Sequence, residues 1–170
     1  MWNLWKWVAV AAGVVAALAA LAALVGAFLP RAHVARRTAR LEAGLERAWS
    51  LVSAPEGWPR WNPEVTAVRR LDGRRDRPAW RLEGPRAGYA IELVELVPPH
   101  RMVTRVVGES SFGGTWTWEL VAEGGATRLT LTEHGEVHNL VFRALARWPF
   151  DPQATLEAWT RALAVEASRR

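Results

Sequence analysis

The chain contains no cysteine. That excludes a disulfide framework, a thiolate zinc site and a cysteine nucleophile, and it leaves the compartment open. Lysine is almost missing as well. Lys6 is the only one, so the soluble part carries its positive charge on arginine, a bias that reads with the abundant alanine as codon composition. No acidic residue precedes residue 31. The net charge of +5 is dispersed and forms no basic stripe interleaved with aromatics, which argues against a nucleic-acid partner. It would suit a domain lying near anionic headgroups. Also lacking are a Ser-His-Asp spacing signature, a glycine-rich phosphate loop and a HExxH motif.

Between Val8 and Leu29 no polar side chain occurs at all. At about 1.5 Å per residue the run spans roughly 33 Å, enough for a bilayer core. Trp2, Trp5 and Trp7 precede it with Lys6, as an interfacial aromatic belt would, and Arg31 follows Pro30. The run exceeds the ~7–15 apolar residues of a signal peptide. The expectation is a retained single-pass membrane anchor over residues 1–30 and a soluble domain over residues 31–170. The small-residue face Ala9, Gly13, Ala17 is what any alanine-rich run produces. Arg31, Arg36, Arg37, Arg40 and Arg47 outnumber Lys6 and the amino terminus, which places the domain in the cytoplasm.

After Pro30 the pattern predicts a strand over Val34–Ala43. A helix follows, with Leu45, Ala48, Trp49 and Val52 on one face. A short helical turn from Pro55 to Trp61 leads through Trp58-Pro59-Arg60-Trp61-Asn62-Pro63, where two prolines fence two large rings. Strands are predicted over Val65–Leu71, Ala79–Glu83, Tyr89–Val97, Arg101–Val107, Phe112–Ala122 and Thr127–Glu133, separated by hairpin-length gaps. Asp72-Gly73 and Gly124-Gly125 mark turns. A helix Leu140–Arg147 breaks at Pro149. Asp151 then caps a last helix whose face is Leu156, Trp159, Leu163 and Ala167. The sum is an α+β layer: an antiparallel meander covered by one long helix, with room for a cavity.

Trp116, Trp118 and Leu120 share one face of their strand, and Trp80 and Leu82 form a similar pair. They read as an aromatic pocket wall or as plain core. Glu133 follows the apolar side, with Leu129 and Leu131. A carboxylate there would be desolvated and its pKa raised unless an arginine reached it. It could orient a ligand, act as a base or form a structural ion pair. His134, Glu136 and His138 would share a face on a continuous strand and could then hold a metal. Gly135 and the change to helical period argue against such a strand, so no metal is expected.

Ala43–Trp49, Trp58–Pro63, Pro98-Pro99-His100-Arg101-Met102 and Phe112–Trp118 resemble the START-like superfamily called SRPBCC. The branch they most resemble comprises bacterial polyketide cyclase/dehydrase and lipid-transport proteins. The resemblance covers about residues 31–170. It implies a helix-grip fold, in which about seven curved strands wrap a long C-terminal helix around an apolar cavity. It implies little about chemistry. Two departures touch the cavity mouth: Ala54 stands where members often have a capping Asp, and Pro149–Pro152 interrupt the approach to the last helix.

The leading expectation is a membrane-anchored, non-catalytic binding domain for a hydrophobic small molecule or lipid, needing no cofactor. Its candidate lining is Trp58, Trp61, Trp80, Trp116, Trp118 and Trp159, with Glu133 as the polar contact. The alternatives are a cyclase- or dehydrase-like enzyme using Glu133, and a membrane-tethered interaction module with a filled core.

Overall fold

The computed structural model describes residues 2–71, 77–85, 87–146 and 151–169. The predicted turn at Asp72-Gly73, the arginines beside it and the break at Pro149 lie outside those residues.

Helix α1 (Trp2–Phe28) is long and apolar enough to cross a membrane. Strand β1 (Ala32–Leu41) follows at once, then α2 (Leu45–Val52) and a 3-10 turn (Pro55–Arg60). Six strands come next: β2 (Ala67–Arg70), β3 (Ala79–Glu83), β4 (Gly88–Val97), β5 (Arg101–Val107), β6 (Phe112–Glu123) and β7 (Ala126–Val137). Helices α3 (Leu140–Ala146) and α4 (Pro152–Ser168) complete the chain. The seven strands form one antiparallel sheet in the order β1-β7-β6-β5-β4-β3-β2. Strands β2 to β7 are the expected meander, and β1 closes beside β7.

Local chemistry accounts for the joints. Glu123 pairs with Ala126 across Gly124 (φ +56°) and Gly125 (φ +90°), both in the left-handed conformation that a two-residue hairpin requires. Asp151 caps α4 through its carboxylate, which accepts from the Gln153 N–H at 2.9 Å. Leu156, Trp159, Leu163 and Ala167 are all buried, as their spacing predicts.

Five strands differ in their bounds from expectation. β1 runs Ala32–Leu41 rather than Val34–Ala43, β2 is shorter at both ends, and β4 and β6 are each one residue longer. β7 does not stop at Glu133 but runs through Gly135 to Val137. It is paired on both sides there, by Ala32↔Glu136 in β1 and Gly114↔Gly135 in β6. Cross-strand pairing thus overrides the weak strand preference of glycine.

One face of the sheet packs on α2 and α4, and that interior contains Leu41, Leu82, Ile91, Met102, Trp118, Leu120, Leu129, Leu131, Leu156 and Leu163. Arg37 on β1 reaches Glu157 on α4 at 3.1 Å, tying helix to sheet edge. The other face carries ion pairs such as Arg101–Glu119 at 2.8 Å and Arg128–Glu123 at 2.7 Å.

The strand ends define two ends of the domain. The end holding the start of β1, the finish of β7 and the start of β6 adjoins α1. This is the proximal end. The distal end holds Leu41, α2 and the β6–β7 hairpin.

Candidate functional site

Alternation along β6 puts Trp116 and Trp118 inward, and the period of α4 turns Trp159 toward them. Their rings join those of the other elements in one aromatic column. From the distal side, Trp61 lies 6.2 Å from Trp58 between ring centroids, and Trp58 lies 5.7 Å from Trp118. Trp118 stacks on Trp159 at 6.2 Å, and Trp159 meets Trp116 at 5.9 Å. Trp116 meets Tyr89 at 5.7 Å, and Tyr89 meets Phe112 edge-on at 6.0 Å. The column therefore runs along the sheet from the 3-10 turn to the proximal end.

The indole N–H groups divide the tryptophans into two sets. Trp58 donates to the Val52 carbonyl at 3.0 Å, and Trp80 to the Glu56 carboxylate at 2.7 Å. Both bonds fasten the 3-10 turn, to α2 and to β3 respectively. Among the described residues, the N–H groups of Trp61, Trp116, Trp118 and Trp159 are buried without a hydrogen-bond partner. A buried polar group left unpaired costs about 1–3 kcal/mol, so four in one interior is a marked concentration of free donors. Trp58 and Trp61 are 2% and 7% exposed and sit in the hydrophobic core.

A polar group stands at the proximal end of the column. Glu133 lies directly across from Trp116 in the β6–β7 register and from Ala35 in β1. It is buried on the inner face, as the alternation predicts. Its partner is a histidine rather than an arginine: His33 Nε2 lies 3.2 Å from Glu133 Oε1. His33 pairs with Gly135 across the β1–β7 ladder. A Cβ at Gly135 would stand 2.2 Å from His33 Cε1 and 3.1 Å from Glu133 Oε1, so the glycine makes the space in which the two side chains meet. Tyr89 is the third member. Desolvation of its phenol, reinforced by the Glu133 and Glu64 carboxylates, pushes its pKa well above the usual tyrosine value. The phenol thus stays protonated and able to donate.

All seven sequence-predicted site residues point into this interior or its walls. The structure brings six of them toward one column; Trp80 stands apart on β3 with its N–H engaged by Glu56. His33, Tyr89 and Phe112 were not anticipated. Tyr89 was legible, because it alternates with Ile91 and Leu93 on β4. His33 fell outside the predicted first strand. The trio His134, Glu136, His138 does not converge as three: His138 Nδ1 comes within 3.8 Å of Glu136 Oε2, and His134 does not join them. His134 and Glu136 share the outer face, whereas His138 lies beyond the strand end and accepts from Arg31 Nε at 3.1 Å. No group of three metal-ligating side chains occurs among the described residues.

A seven-stranded antiparallel sheet curved against one long C-terminal helix is a helix-grip, START-like domain. The chain belongs to the polyketide cyclase / dehydrase and lipid transport family, whose model matches residues 32–165. Solved structures share the fold. The Zhui aromatase/cyclase of a Streptomyces species is 15% identical, with a TM-score of 0.66 over 82% of this chain and 95% of its own. A START superfamily protein of Mycobacterium smegmatis is 21% identical, with a TM-score of 0.63 over 79% and 97%. A Thermus thermophilus protein is 22% identical, with a TM-score of 0.66 over 79% and 97%. No curated protein matches the chain.

Proposed function

We propose that the chain is a membrane-anchored binding domain for a hydrophobic small molecule or lipid. Residues 1–30 form the single-pass anchor, and residues 31–170 form the binding domain on the cytoplasmic side. The observation that carries this reading is the aromatic column with four free indole donors and a polar group at its proximal end. Apolar rings supply the driving force, about 25 cal/mol per Å² buried before the costs of binding. The free N–H groups and the Tyr89 phenol suit a guest that carries a few carbonyl, ether or hydroxyl oxygens. Trp116, Trp118, Trp159, Trp61 and Glu133 line the guest. Trp58 and Trp80 hold the wall. Family membership in a group that includes lipid transport supports the same reading.

The test is a titration of the purified chain with a fluorescent apolar acid, read by energy transfer from the interior tryptophans. Saturable binding that weakens at least tenfold in Trp116→Ala supports the proposal. Transfer that never saturates, or that is unchanged in Trp116→Ala, contradicts it. Protease added outside intact cells should leave the domain uncut if it is cytoplasmic.

A second reading has one observation in its favour: Glu133 is inward, buried and free of any arginine among the described residues. As an enzyme on a polyketide-type substrate, Glu133 with His33 would take a proton beside a carbonyl, and the neutral Tyr89 phenol would donate to the oxygen that gains charge. Glu133→Gln separates the readings. Binding with or without it and no turnover in either form supports the carrier; turnover lost only in Glu133→Gln supports the enzyme.

A further inference from the structure

The end of α1 is not a free tether. Ala22, Ala23 and Leu29 are partly covered and Gly26 is buried, and these positions form one face of the helix. That face meets α3. The approach is so close that a Cβ at Gly26 would stand 1.9 Å from the Leu140 carbonyl oxygen. Arg143 on α3 then closes the joint. Its Nη1 donates to the carbonyls of Gly26 at 3.2 Å, in the last turn of α1, and Leu29 at 3.3 Å, just past its end. Its Nε and Nη2 donate to the Val137 carbonyl at 3.0 and 2.7 Å, where β7 ends. The Val137 N–H in turn donates to the Arg31 carbonyl at 2.9 Å. One guanidinium thereby fixes anchor, strand end and helix to one another. A freely swivelling linker would need neither the glycine nor the staple.

The joint sets a depth. Ala22 precedes Phe28 by six residues, so the covered face of α1 reaches about 9 Å below the end of the span. An interfacial helix buries its apolar side by about 5–10 Å. The residues α3 leaves uncovered are large and apolar: Leu140 is 41% exposed and Phe142 46%, beside Phe28 at 84%.

Resting on the reading of α1 as a membrane span, we propose that α3 is embedded in the headgroup–acyl boundary as one unit with the end of α1. The proximal end of the sheet is then seated on the bilayer. Phe112, Tyr89 and the His33–Glu133 pair open toward lipid rather than toward bulk water, and a guest reaches the column from the membrane. The occupant of the apolar surface of α3 is the bilayer itself, because that surface continues the apolar surface of the span.

The chain has no native cysteine, so single labels are clean. Full-length Phe142→Cys, Leu18→Cys and Val121→Cys are each labelled with an environment-sensitive fluorophore and reconstituted in phosphatidylcholine vesicles. Quenching is compared between lipids carrying a nitroxide high on the acyl chain and aqueous iodide. The expected result is strong lipid quenching at Phe142 and Leu18, with iodide quenching alone at Val121 on the distal end. Gly26→Leu in the Phe142→Cys background should cut lipid quenching at Phe142 at least threefold and leave the Leu18 label unchanged in its own background. A Phe142 label quenched only by iodide, with Leu18 in lipid, overturns the seating of α3 and spares the anchor. Iodide quenching at both positions overturns the anchor and the seating together.

Discussion

Substituting alanine for Gly135 tests whether the polar group at the proximal end is built by the sheet. The position carries no positive φ, so the backbone accepts alanine, and an ordinary strand glycine replaced by alanine gains about 0.5–1 kcal/mol. Here the added Cβ would stand 2.2 Å from His33 Cε1 and 2.4 Å from His33 Nε2. Those atoms are the tip of a side chain, so the ring swings away instead of the backbone yielding. The swing breaks the 3.2 Å contact to Glu133, which is 7% exposed. Leaving that carboxylate without its partner costs about 1–3 kcal/mol. The net expectation is a loss of roughly 1–2 kcal/mol, measured by urea unfolding of the full chain in a mild non-ionic detergent. In a His33→Ala background the clash with the ring is gone, the 3.1 Å approach to Glu133 Oε1 is relieved by a small shift of that side chain, and Gly135→Ala should instead be neutral or stabilising by up to about 1 kcal/mol. The cycle should therefore show a coupling near 2 kcal/mol, within the range for contacting residues. An equal change in both backgrounds, or stabilisation by Gly135→Ala alone, would refute the role assigned to the glycine.

Tyr89 is the only tyrosine, so tyrosinate absorbance reports it without ambiguity. It should ionise well above pH 10, and denaturation should restore the ordinary value. Because the folded pKa is raised, stability is intact below pH 10 and falls above it by up to about 1.4 kcal/mol per pH unit; Tyr89→Phe should abolish that slope. Trp58→Ala and Trp61→Ala should each cost about 3–5 kcal/mol of unfolding free energy, since both rings are buried. The phenylalanine variants should differ. Trp58→Phe strips the Val52 carbonyl of its donor and should cost about 1–2 kcal/mol more than Trp61→Phe, which removes an unpaired donor; equal losses would show the Trp58 bond to be idle. Asp151→Ala should lower the thermal midpoint by an amount equivalent to about 0.5–2 kcal/mol, the usual worth of an N-cap.

Much of this architecture is legible in the chain because its boundaries are local. β3 and β5 have the expected bounds to the residue, since Gly84-Pro85, Pro98-Pro99 and Gly108 stop them chemically. The inward set Trp116, Trp118, Leu129, Leu131 and Glu133 follows from period-two alternation alone. What stays hidden depends on contacts between distant segments. Nothing local says that Ala32–Leu41 pairs with β7, so His33 could not be set beside Glu133. Gly135 reads as a strand terminator, yet partners on both sides carry β7 through it. The two tryptophans of the proline-fenced turn illustrate the limit most clearly. Their spacing marks a compact aromatic turn, and only the fold shows Trp58 bonded to Val52 while Trp61 keeps a free N–H.

On the proposed function, the interior around Trp116, Trp118 and Trp159 takes an apolar guest. Native mass spectrometry of the full chain, extracted with its surrounding lipid and released stepwise from detergent, addresses it directly. The expected result is a discrete added mass bound one to one, lost in Trp116→Ala while the variant stays folded. A chain that is reproducibly free of any added mass would contradict it, as would the same lipid retained equally by Trp116→Ala.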